Sequence, residues 1–211
     1  MRSRFFSVAV VLSAFGMATL AAQAPVKTIE DGALDKIQLF VASPGQGGAL
    51  SIVIKPFDTS ATDLGTGGKD GKDSRQQEAK TMQNEGPRVL AEHFVSALEK
   101  SGAVKSVRAL SSADAVPDGA LVVEGSFVTL DPGSRAKRYF AGFGAGKSSV
   151  KVTGSVKDSS GRTLATFEQR RVGTMGMGGG DSLGKLMSDS GSIGEDIAKF
   201  LAKWTRGEKL D

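Results

Sequence analysis

The chain has 211 residues, a formal net charge of +4, one histidine and no cysteine. The missing cysteines exclude disulfides, thiolate nucleophiles, cysteine-ligated zinc and a lipid-bearing cysteine behind a signal segment, and so small a charge excess gives no ground for global nucleic-acid or membrane binding. Glycine is the compositional outlier, with 28 residues, about twice its ordinary share, gathered at 45–48, 65–71, 142–146 and 173–184, where it marks turned backbone and not a repeating fibre.

The first residues read as a targeting segment. Arg2 and Arg4 precede an apolar run from Phe5 to Leu12, and the small residues of 18–24 follow, the order of a secretory signal. Residues 1–24 are therefore expected to be a cleaved signal peptide, with the cut after Ala21, Ala22 or Ala24. Loss of Arg2 and Arg4 lowers the net charge to about +2. The expected product is periplasmic or secreted, is not lipid-anchored, and has no transmembrane span after cleavage.

Residues 36–206 then read as a single domain. Ile37, Leu39 and Val41 alternate with polar neighbours, as do Leu50, Ile52 and Ile54, so two half-buried strands are expected. Ser43-Pro44-Gly45 between them predicts an antiparallel pair. Residues 63–72 are too polar to pack and read as a loop. Ser74 with Gln77 resembles a capping box for a polar helix to about Glu85, expected to break or kink at Gly86-Pro87. From Pro87 the apolar positions Leu90, Phe94 and Leu98 predict an amphipathic helix closed by Gly102. His93 falls at the edge of its buried stripe, with no nucleophile or metal partner in view.

Strands follow at 104–110 and 120–131. Residues 147–157 and 162–172 form a predicted hairpin around the turn Asp158-Ser159-Ser160-Gly161. Beyond a glycine-rich loop, Ser192 with Glu195 predicts the start of a last helix, with Ile193, Ile197, Phe200 or Leu201, and Trp204 on one stripe and Gly207 at its end. The fold class expected is α+β: a twisted, mostly antiparallel sheet of about six strands with a long central helix and a C-terminal helix packed on one face.

Ala141-Gly142-Phe143-Gly144-Ala145-Gly146-Lys147-Ser148 satisfies the relaxed phosphate-loop pattern. That chemistry needs the Lys-Ser pair to open a helix whose amides face the phosphates, whereas Val150, Val152 and Val156 alternate as in a strand. A phosphate- or nucleotide-binding enzyme using Gly142 to Lys147 is thus the alternative reading. Arg135, Lys137 and Arg138, with Gly142, Gly144, Gly146 and Lys147, form the densest basic cluster and the candidate binding segment, after a type II turn at Pro132-Gly133. Met175, Met177 and Leu183 are a second candidate, as soft side chains able to dock into a groove. No catalytic residue, metal ligand or cofactor site is expected, since one histidine and scattered carboxylates assemble no catalytic set.

The stretch from Asp131 to Arg138, followed by Gly142 to Ser148, resembles the bacterial domain of unknown function 4410 family. The strand, turn and strand of 157–167 and the closing helix are similar to it too, and the resemblance covers residues 36–204. It implies an exported protein without an assigned biochemical activity; many members are lipoproteins, and this chain lacks their cysteine. The expectation is a non-catalytic binding or assembly module of the cell envelope. Its partner would be an envelope protein or an anionic envelope component, not nucleic acid.

Overall fold

A computed structural model describes residues 24–45, 49–65, 74–133, 147–173 and 182–210. Seven strands and two long helices occur among them: β1 (Lys27–Glu30), β2 (Lys36–Leu39), β3 (Ser51–Ile54), α1 (Ser74–Ser101), β4 (Ser106–Ala109), β5 (Leu121–Asp131), β6 (Ser148–Lys157), β7 (Thr163–Gly173) and α2 (Ser182–Thr205). The strands form one sheet in the order β1-β2-β7-β6-β5-β3-β4. Pairing is antiparallel from β1 to β5, whereas β3 runs parallel to both β4 and β5. The expected α+β class with both helices on one face is the observed one. The seventh strand is β1, which escapes a periodicity reading because Ile29 alone of its four residues is buried.

The β6–β7 hairpin forms as its alternation predicts. Val150, Val152 and Val156 bury one face, and the Asp158 carboxylate closes the turn by accepting hydrogen bonds from Ser160 and Arg162. The expected β2–β3 hairpin does not form, because β7, β6 and β5 lie between the two strands. The physical reason is in β3 itself. Ile52, Val53 and Ile54 are all buried, and a strand buried on both faces belongs in a parallel interior, not at one side of an antiparallel pair. Val53 joins Leu110, Ala120 and Val122 in a small second cluster on the sheet face away from the helices.

The first helix is continuous where a break or kink was expected. Pro87 lies inside its 28 residues, although it removes one helical hydrogen bond. Buried Ala79 and Met82 before it and Leu90, Phe94 and Leu98 after it anchor both halves to the same core. Gly102 closes the helix with φ 61°, as predicted. The second helix begins at Ser182, ten residues before the predicted start at Ser192. Gly184 and Gly191 disguise those extra turns, and Glu195 contacts His93 Nδ1 at 3.0 Å across the helix pair.

The two helices lie side by side at unusually short range. A β-carbon on Gly194 would stand 2.3 Å from the Leu90 carbonyl oxygen, and one on Gly191 would stand 2.9 Å from the His93 ring. Around this contact Leu90, Phe94, Ile193 and Ile197 are fully buried, and Phe200 stacks on Trp204 with ring centroids 5.5 Å apart. Trp204 donates its indole N–H to the Ala42 carbonyl at 3.2 Å, which ties the segment after β2 to the end of α2.

Gly194→Ala is predicted to lower unfolding free energy by about 3 kcal/mol, because backbone and not a flexible side chain blocks the added methyl. A urea melt that matches the parent chain would show that the helices separate without cost.

Candidate functional site

The helices cover one face of the sheet, and the other is open across β2, β7, β6 and the middle of β5. On that open face the register aligns Gln38, Thr166, Ser155 and Glu124 in one row and Lys36, Glu168, Thr153 and Ser126 in the next. These rows floor a concave groove of about 750 Å3, bounded also by Lys55 and Pro56. Gly125 pairs with Gly154 in its floor. Behind that pair pack Phe57 and Phe167: a β-carbon on Gly125 would lie 2.6 Å from the Phe57 ring, and one on Gly154 2.3 Å from the Phe167 ring. Glycine is therefore required at the centre of the floor by what lies beneath it.

The charges of the face are paired. Glu124 accepts from Lys55 at 3.1 Å and Lys157 at 2.5 Å, Lys151 reaches Glu168 at 2.9 Å, and Lys36 approaches Glu30 at 3.5 Å. The Lys157 hydrogen bond holds the Glu124 carboxyl below its ordinary range, against the opposing effect of partial burial and with help from Lys55. Thr166 donates to the Gln38 amide oxygen at 3.2 Å. The result is a pre-ordered polar surface with donors and acceptors at strand spacing.

Of the residues singled out from sequence, Lys147 is described; it is exposed and immediately precedes β6. Ser148 opens a strand, so the Lys-Ser pair does not begin a helix as a phosphate loop requires. Arg135, Lys137, Arg138, Gly142, Gly144 and Gly146 lie outside the described residues, as do Met175, Met177 and the signal segment. Leu183 packs partly buried against the core. Gly133 has φ 77°, the value a type II turn gives its third residue.

The sequence pointed to no partner for His93, and the structure supplies Glu195. Their side chains are 48% and 44% exposed, so this is a surface pair linking the helices. Among the described residues no three His, Asp or Glu side chains gather as metal ligands.

Sequence reading missed a polar layer between α2 and the sheet. Asp196 accepts from Gln169 at 3.2 Å and from Arg171, with Lys199 at 3.5 Å. Gln169 in turn accepts the Asp35 amide at 2.8 Å, and Asp35 accepts the Arg170 amide at 2.7 Å. Nearer the start of α2, Lys185 binds Asp189. Four buried side-chain atoms here have no hydrogen-bond partner among the described residues: Ser148 Oγ, Arg171 Nε, Asp189 Oδ2 and Ser190 Oγ. Each such group costs about 1–3 kcal/mol when closed off from water. Gln169 and Arg171 occupy inward positions of the strand alternation, which was the available signal.

Three comparisons place the chain among known proteins. The family described as "Domain of unknown function (DUF4410)" matches residues 52–177, from β3 through β7. Among solved structures, the chain is similar to the PelC dodecamer from Paraburkholderia phytofirmans at 12% identity and a TM-score of 0.42, over 76% of this chain and 95% of that one. A crystal structure of an uncharacterized protein is similar at 12% identity and a TM-score of 0.34, over 73% and 92% of the two chains. No curated protein matches the chain.

Because the folded-state pKa of Glu124 is lowered, its contribution to stability is complete above the ordinary value of 4.5 and disappears as pH falls through the lowered one. Glu124→Gln should therefore cost about 1 kcal/mol at pH 7 and nothing near pH 2. Paired melts at the two pH values check this, and a cost that persists in acid would show that the ion pairs are not its source.

Proposed function

The chain belongs to the DUF4410 family, and we propose that it is exported to the cell envelope and serves there as a non-catalytic binding or assembly module, with the open sheet face as its contact surface. The observation that carries this reading is the groove across β2, β7, β6 and β5, floored by short hydroxyl side chains and framed by paired charges. A sheet braced from behind by two packed helices presents such groups at fixed spacing, and that rigidity favours selective contact.

Other features support the same reading. The motif lysine leads into a strand, so Lys147 has no helix amino terminus beside it for binding phosphate. His93, the one histidine, is engaged with Glu195 on the outside of the helix pair. No helix among the described residues is long and apolar enough to cross a membrane. On this proposal residues 1–24 are removed during export. The partner is an envelope protein or an anionic envelope component, approached by the basic segment of Arg135, Lys137, Arg138 and Lys147.

A photo-cross-linking residue at Thr153, on the groove floor, should give discrete adducts in living cells, while one at Glu92, on the outer face of α1, should give none. Equal patterns at both positions would remove the open face from the proposal. A fusion of residues 1–30 to alkaline phosphatase should be active, since that enzyme matures only after export, and an inactive fusion would end the envelope reading. Isothermal titration with nucleotides tests the phosphate-binding alternative; no heat is expected at millimolar concentration.

A further inference from the structure

The seat of α2 on the sheet changes character along the helix. From Ile193 onward the inward face is mostly apolar, with Ile193, Ile197, Phe200, Leu201 and Trp204 each 1% exposed or less, and its one buried carboxylate, Asp196, is held by Gln169 and Arg171. Before Ile193 it is largely polar. Lys185 and Ser148 Oγ converge on Gly173, at 3.3 and 2.3 Å from the position a β-carbon would take there. Lys185 also holds Asp189, and Asp189 and Ser190 are 4% and 0% exposed.

Three of the four buried side-chain atoms without a partner among the described residues, Ser148 Oγ, Asp189 Oδ2 and Ser190 Oγ, belong to this stretch or to the strand end beneath it. Such groups favour any state in which water reaches them. Gly184 and Gly191 weaken the helix in the same stretch, and Leu186 is its one fully buried apolar side chain, with Leu183 and Met187 partly covered.

We propose that residues 182–192 form a flap that lifts from β6 and β7 while the rest of the molecule stays folded, turning at Gly191. The second half of α2 remains seated by its apolar face and by the contact of Gly194 with Leu90. Lifting admits water to Ser148, Asp189 and Ser190, next to the strand that Lys147 leads into. The flap is a local opening, drawn from the least stable end of the helix.

A chain without cysteine allows a direct test. Ser190→Cys and Ala198→Cys each place a single thiol at a site 1% exposed or less in the parent chain. With rates normalised to each variant in denaturant, the Ser190→Cys thiol should react with a disulfide reagent at least about 30-fold faster than the Ala198→Cys thiol, the ratio expected when one site opens locally and the other only by global unfolding. Adding Ser148→Ala removes one unpartnered hydroxyl from the closed state and should slow the reaction at position 190 about 5-fold. Equal rates at the two sites, or a rate at 190 that ignores Ser148→Ala, would overturn the flap. Should either cysteine variant fold poorly, hydrogen exchange on the unaltered chain reads the same opening. Amides of 186–192 should then exchange faster than those of 195–204, and equal protection would refute the proposal.

Discussion

Where α2 crosses α1, the Leu90 carbonyl oxygen occupies the space that any side chain at position 194 would need. That contact lets two helix backbones approach more closely than side chains ordinarily allow, and much else follows from it. Drawn together, the helices bury Leu90, Phe94, Ile193 and Ile197 in one layer and brace one face of a seven-stranded sheet. Both amphipathic helices are thereby used on the same side. The opposite face keeps its Lys, Glu, Ser and Thr side chains in water, which is how an antiparallel sheet tolerates one uncovered surface.

The sheet is two arrangements joined along β5. From β1 to β5 it is an antiparallel array with an inward apolar and an outward polar face. Beyond β5, β3 and β4 run parallel to it, with α1 as the connection between them. The change coincides with the place, among the described residues, where buried apolar side chains occur on both faces, at Val53 and Val122 on the face away from the helices and at Ile52, Ile54, Leu121 and Val123 on the helix side. Open polar surface and doubly buried surface thus occupy different parts of the same sheet, and the groove lies over the former.

Polar groups are treated differently on the two sides. On the open face Glu124 receives two lysines in a setting where water can exchange with each of them, and Glu168 and Glu30 each meet one. Behind the sheet, Asp196 is satisfied by Gln169, Arg171 and Lys199, but the next two turns toward the start of α2 leave hydroxyl and carboxylate oxygens without partners. The helix is therefore fastened unevenly, firmly at Trp204 and weakly near Ser190. Polar satisfaction, and not helix propensity alone, sets that gradient.

By itself the sequence determined the α+β class, the β6–β7 hairpin, the cap at Gly102, the stripe from Ile193 to Trp204 and the family resemblance, because each is written in neighbouring residues whose period or turn chemistry is local. It also determined that Lys147 leads into a strand, from the valines that follow. Tertiary structure decided the rest. The separation of β2 from β3 depends on burial of Val53 by Leu110 and Val122, which local alternation does not contain. Continuation of α1 through Pro87 depends on core contacts to either side of it. The early start of α2 goes with the burial of Leu186, Asp189 and Ser190 in the added turns. The groove exists only because the distant strand β2 joins the consecutive strands β5, β6 and β7, aligning their short side chains over Gly125 and Gly154. In each case the deciding energy comes from contacts between residues far apart along the chain, and periodicity within one segment carries no record of them.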